Sequence, residues 1–170
     1  MDTHPALSRL GAMIAIATLG LACAGGPPAS PPPPSPAPTT VVLPNGFTVR
    51  VEPALNPLEQ ARGLMFVEFL APDEGMLFLF DTEEARPFWM KNCKIPLDLV
   101  WLDAGFRVVE ISPDVPPCPG DPCPSYAPSV PIRHVLEVNG GFCALHGLRP
   151  GDQLLVVGLP PHPRGEGMPG

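Results

Sequence analysis

The sequence predicts a compact, mainly β domain, a sandwich or open barrel carrying one or two short helices. Three observations predict it. Seven or eight short runs are either apolar throughout or alternate apolar with polar residues, which is the spacing of strands. Pro, Gly, Asn and Asp clusters punctuate those runs. No long 3.6-residue periodicity alternates with them, which disfavours a doubly wound parallel sheet.

The elements follow in order. Phe47 to Glu52 alternates as a half-buried strand does. Pro44-Asn45-Gly46 before it is turn chemistry, so Val41 to Leu43 is expected to pair with it as a hairpin. Asn56-Pro57-Leu58-Glu59 opens a helix, with Asn56 as cap, Pro57 in the first turn and Glu59 completing a capping box. That helix is expected to reach about Met65. Gly75 to Phe80 is too short and too apolar for a typical helix and reads as a strand buried on both faces. Arg86 to Lys91 and Leu97 to Leu102 read as strands. Asp103-Ala104-Gly105 then turns the chain into Phe106 to Ser112. His134 to Val138 and Gln153 to Val157 are further short strands. Asn139 to His146 holds a turn or two of helix that stops at Gly147, and Arg149 to Asp152 is a turn. No internal repeat is present.

These elements lie within residues 41–159, read as one domain. Eight prolines fall between Pro27 and Pro38, and four more from Pro160 onward. Residues 23–40 therefore read as a stiff, extended tether, and residues 160–170 as a disordered tail. The domain carries eight Lys and Arg against fifteen Asp and Glu, a net charge of −7, with no basic run. Such a surface repels phosphate backbones and anionic lipid heads, so no nucleic-acid partner is expected.

Membrane attachment, if any, comes from the N-terminus. Gly11 to Ala22 is uncharged and of signal-peptide length, too short to span a bilayer. Residues 1–22 are read as a cleavable leader, with Cys23 behind it as a lipid-attachment cysteine resembling a bacterial lipoprotein box. Gly20 stands where that box usually has a branched aliphatic. Ordinary cleavage at Ala22-Cys23-Ala24 is the competing reading. The first places the domain on the periplasmic side of the cell envelope, lipid-anchored; the second makes it soluble periplasmic or secreted.

Setting Cys23 aside leaves four cysteines, an even number for an oxidising compartment. Cys118 and Cys123 flank the turn Pro119-Gly120-Asp121-Pro122, so Cys118–Cys123 is the natural bridge. Cys93–Cys143 is the remaining pair, across a long loop. A four-cysteine metal site wants two close pairs and only one is present; no C-x-x-C redox motif occurs. His134 and His146 lack ligand spacing, and Met65, Met76 and Met90 sit in apolar runs as core residues do. We expect no metal and no cofactor.

Several motifs taken together resemble the family known as domain of unknown function 192. They are Arg62-Gly63-Leu64-Met65, Gly75 to Phe80, Phe88-Trp89-Met90-Lys91-Asn92, Ile95-Pro96-Leu97-Asp98, Val135-Leu136-Glu137, and Gly147 with Gly151-Asp152. The resemblance covers nearly all of residues 41–157. W-M-K-N followed by P-L-D is its specific part, and Cys93 departs from it where threonine is common. It implies a jelly-roll-like, often exported domain, and implies no activity.

Arg62, Arg86, Lys91, Asn92, Asp98 and Glu137 are polar residues among apolar neighbours. Lys91 and Asp98 flank a short connection that can bring them together, as a structural pair or as a lysine poised for proton transfer. Glu137 should face away from Leu136 and Val138, to accept from backbone amides or pair with Arg62. Alternation places Trp101 in the core and Trp89 beside Lys91 as a candidate binding wall. The ligand-binding candidates are therefore Arg62, Trp89, Lys91, Asn92, Asp98 and Glu137. With no nucleophile elbow and no phosphate loop, the reading is an envelope-tethered module that binds a small molecule, a glycan or an envelope protein. An enzyme built on Lys91 and Asp98 is the alternative, and a structural or chaperone-like accessory a third.

Overall fold

The computed structural model describes residues 37–161. The leader, Cys23, most of the tether and the end of the tail lie outside them. The described residues are mainly β, with two short helices and a seven-stranded mixed sheet. The sheet is not closed into a barrel, so the sandwich-like alternative holds.

The strands are β1 (Thr40–Val42), β2 (Thr48–Ala54), β3 (Glu74–Glu84), β4 (Phe88–Trp89), β5 (Leu97–Leu102), β6 (Val108–Val115), β7 (Ser125–Tyr126), β8 (Ile132–Asn139) and β9 (Leu155–Val157). Helix α1 (Pro57–Arg62) links β2 to β3, and α2 (Phe142–His146) follows β8. The sheet runs β6-β5-β8-β3-β2-β1-β9, and β4 pairs with β7 in a separate ribbon. The expected hairpin is present, with Val41 opposite Val49. One pair departs from the antiparallel pattern: β2 and β3 run parallel, with Val51 opposite Gly75, because α1 carries the chain back over the sheet.

Helix α1 begins as its sequence dictates. Asn56 Oδ1 accepts from the backbone of Leu58 and Glu59, both at 3.0 Å, and Glu59 Oε2 accepts from Asn56 N at 3.2 Å. It ends three residues short of the expected Met65. Gly63 leaves helical space at φ 48. The expected strand from Arg86 to Lys91 shrinks to Phe88–Trp89, whose partner is Ser125–Tyr126.

The central strands are apolar on both faces. In β3, Leu77 and Leu79 join one apolar cluster while Met76 and Phe78 join another. In β5, Val100 and Leu102 face the first cluster; Leu97, Leu99 and Trp101 face the second. Trp101 is fully buried, as alternation predicts, and its indole N–H donates to Ser112 Oγ at 3.0 Å. Burial of a side chain that size stabilises the fold by about 3 kcal/mol.

The Cys118–Cys123 disulfide is present. Cys93 and Cys143 are free, buried thiols, so the second expected bridge does not form. Cys93 packs in the cluster of Trp101 and Cys143 in the cluster of Val100, with the sheet between them. Even numbers alone do not pair thiols whose side chains point to opposite faces. For the bridge that does form, closing so short a loop predicts that Cys118→Ser with Cys123→Ser costs roughly 2 kcal/mol in urea denaturation. Reductant should lower wild-type stability equally and leave the double variant unchanged.

Candidate functional site

The candidate residues separate into a structural group and a cavity group. Asp98 is structural. Its side chain shares the face of Val100 and Leu102, is fully buried and accepts three backbone N–H bonds. These come from Asp114 at 2.7 Å, Gly141 at 2.9 Å and Cys143 at 2.7 Å. One carboxylate thus ties β5 to the end of β6 and to the start of α2. Gly140 fits tightly beside it, since a Cβ there would lie 3.0 Å from Pro96 Cβ and 3.2 Å from the Pro96 backbone carbon. The same carboxylate, after burial itself, helps push the Cys143 thiol far above its ordinary range.

Lys91 does not meet Asp98, which corrects the expected pair. Its Nζ donates to Asp121 Oδ2 at 2.7 Å and lies 5.3 Å from the centre of the Trp89 ring. Asn92 explains the separation. It takes a left-handed conformation, φ 58, which asparagine tolerates, and turns the chain immediately after Lys91. Its carbonyl accepts from Phe66 N at 2.9 Å and its N–H donates to Cys118 O at 3.1 Å. Asn92 is therefore a clamp between loops. A catalytic reading built on Lys91 with Asp98 has no geometry to support it.

The cavity group is Arg62, Trp89 and Glu137. They line one cavity of about 390 Å³. Its walls come from the end of α1, from Phe78 and Phe80 of β3, and from the Glu84 to Trp89 segment leading through β4. Phe88 anchors the apolar wall, packing edge-on against Phe78 at 5.0 Å and Trp101 at 5.4 Å. Trp89 is half exposed, consistent with a wall open on one side.

Glu137 is in the wall with the strongest chemical tension. It faces away from Leu136 and Val138, opposite Met76 on β3 and Leu99 on β5. It is 4% exposed, and its Oε2 has no hydrogen-bond partner among the described residues. It makes neither expected contact, with backbone amides or with Arg62. Burial pushes its carboxyl up to about 8, so the protonated form dominates at neutral pH. Gly63 permits this arrangement: a Cβ there would sit 3.2 Å from the Phe78 ring and 3.7 Å from Glu137 Oε2. The invisible requirement behind Arg62-Gly63 is thus a close approach of the helix end to the sheet.

Arg86 and Cys93 of the cavity wall are not among the ligand-binding candidates expected from the sequence. Arg86 stacks over the Phe80 ring at 4.4 Å and donates through Nη2 to Thr82 Oγ1 at 2.6 Å and Glu84 Oε1 at 3.0 Å. Its Nε is buried without a partner. Its signal in the sequence is a lone cation between an acidic run and Phe88-Trp89-Met90. Cys93 also lines the cavity. Burial first, and the nearby Glu137 carboxylate second, push its thiol up to about 11, so it carries no thiolate at neutral pH. Among the described residues no group of His, Cys, Asp and Glu is arranged to hold a metal ion.

The profile of the family described as DUF192, uncharacterised ACR, matches residues 40–156. The chain belongs to DUF192. Two solved structures are similar to this DUF192 domain. One, described as a putative transcription regulator from Sinorhizobium meliloti 1021, is 32% identical with a TM-score of 0.63, covering 71% of this chain and 93% of its own. The other, a protein of unknown function from Novosphingobium aromaticivorans DSM 12444, is 37% identical with a TM-score of 0.63, covering 69% and 83%. Among curated proteins none matches.

Proposed function

We propose that this DUF192 domain is an envelope-tethered binding module for a small organic molecule, seated in the cavity between the end of α1, β3 and β4. One observation carries the reading. A buried carboxyl with an unpartnered oxygen sits in the wall of a cavity lined by the rings of Phe78, Phe80, Phe88 and Trp89 together with Arg62, Arg86 and Glu84. Unpaired buried polar groups cost about 1–3 kcal/mol, so one that persists beside a cavity points to a ligand that pairs it. A cavity of about 390 Å³ lies in the range that small-molecule sites use, and it favours a small molecule over a glycan chain or a protein surface.

The leader, Cys23 and the proline-rich tether support anchorage on the periplasmic side, and the Cys118–Cys123 disulfide suits an oxidising compartment. One similar structure is described as a transcription regulator. The net charge of −7 on this domain gives a phosphate backbone nothing to hold, so that role is not carried over.

The test is native mass spectrometry of the full chain extracted from membranes, followed by thermal-shift screening against a broad small-molecule set. A retained or stabilising molecule is expected, with binding weakened by Trp89→Ala and Glu137→Gln. A screen in which no molecule raises the melting temperature overturns the reading. For the anchor, Cys23→Ser is expected to move the protein from the membrane fraction to the soluble fraction; unchanged membrane association would refute lipidation.

A further inference from the structure

The cavity holds two unmatched groups of opposite character. Glu137 Oε2 is a carboxyl oxygen without a hydrogen-bond partner, and Arg86 Nε–H is a donor without an acceptor. Both side chains line the same cavity, with Phe78 and Phe88 of the apolar wall. Among the described residues the charged groups lining it are Arg62, Arg86, Glu84 and Glu137, and Cys93 is the only other titratable side chain there. Their formal charges cancel when all four are ionised.

From this we propose that the occupant is a free α-amino acid with an apolar side chain. Its ammonium docks at Glu137, its carboxylate at Arg86 and Arg62, and its side chain against Phe78, Phe88 and Trp89. The inference rests on the reading of this cavity as a binding site, and it names the ligand class.

An uncharged apolar molecule leaves both Glu137 and Arg86 unpaired inside a water-poor space. A simple carboxylate satisfies the guanidinium groups and leaves Glu137 in its protonated form, with no cation beside it. A simple amine satisfies Glu137 and leaves the Arg86 Nε–H without an acceptor, because Glu84 engages only Nη2. A zwitterion meets both demands without adding net charge. Arg86 is suited to the carboxylate because its planar fork donates in two directions, and Glu84 engages only Nη2.

The zwitterion also leaves a signature in protons. Free Glu137 is mainly protonated at pH 7 because burial raises it. An ammonium beside it favours the carboxylate, so binding expels about one proton per site. A deaminated ligand expels none.

The test is titration calorimetry of the full chain with leucine, methionine, phenylalanine and tryptophan, in two buffers of different ionisation enthalpy. The best binder is then compared with its own deaminated and decarboxylated analogues. Each analogue is expected to bind at least about tenfold more weakly than the amino acid. Glu137→Gln should weaken the amino acid about tenfold, abolish proton release and leave the deaminated analogue unchanged. If the deaminated analogue binds as tightly as its parent, or proton release persists in Glu137→Gln, the class is wrong while the binding site stands. If no amino acid binds but another molecule does, the class is again wrong. If nothing binds at all, the class and the proposed function fall together.

Discussion

Asp98→Ala is expected to destabilise the domain by roughly 3–5 kcal/mol. The side chain satisfies the N–H groups of Asp114, Gly141 and Cys143, all within 2.9 Å. Removing it orphans three donors in a buried setting. The donors belong to elements distant in sequence, so α2 and the end of β6 lose their common anchor. Asp98→Asn should fall between wild type and alanine, because the amide keeps one acceptor and sets an NH₂ against a backbone N–H. Urea denaturation followed by circular dichroism measures all three. Lys91→Met is the discriminating control. The Lys91–Asp121 pair is solvent-accessible, with Asp121 63% exposed, and such pairs contribute about 0–1 kcal/mol. A Lys91→Met variant as unstable as Asp98→Ala would contradict the separation of the two residues.

The second large effect belongs to Glu137. Its carboxyl titrates near 8 when folded and near its ordinary value of 4.5 when unfolded, so the folded chain binds more protons between those values. Stability must therefore fall as pH rises from about 4.5 to about 8. Glu137→Gln removes the ionisation and keeps the shape. The variant should match wild type near pH 5 and exceed it above pH 8, by a few kcal/mol and at most roughly 5. Denaturation of both proteins at pH 5, 7 and 8.5 reads this directly, because every other titrating group cancels in the difference. Parallel pH profiles for the two proteins would show that the folded carboxyl is not raised.

The same two residues show what the sequence makes legible and what it hides. Local chemistry is readable. The capping box at Asn56 and Glu59, the hairpin turn before Phe47, the burial of Trp101 and the left-handed stop at Gly147 all depend on neighbours within a few residues. The outward turn of Glu137 from Leu136 and Val138 follows from strand alternation alone. The role of Asp98 is hidden because its partners are backbone amides up to 45 residues away, which carry no residue-type signal. The place of Lys91 is hidden because a positive φ at Asn92 redirects the chain within the short connection to Asp98. The parallel pairing of β2 and β3 is hidden because periodicity reports burial and not strand direction. Counting alone pairs Cys93 with Cys143, whereas their side chains belong to opposite faces. Arg86 enters the cavity through its stacking on Phe80, a contact set by tertiary placement.

The described chain enters and leaves its sheet along a single ladder. Thr40 stands opposite Val157, and Thr39 Oγ1 donates to Gly158 O at 3.0 Å. The sheet order places β1 three neighbours from β8, about 14 Å at ordinary strand spacing. A few linking residues can therefore join these points into a circularly permuted chain, opened at an exposed loop such as the one holding Gly120. A reporter fused at either point would share one exit, leaving the strand that bears Glu137 with its native neighbours.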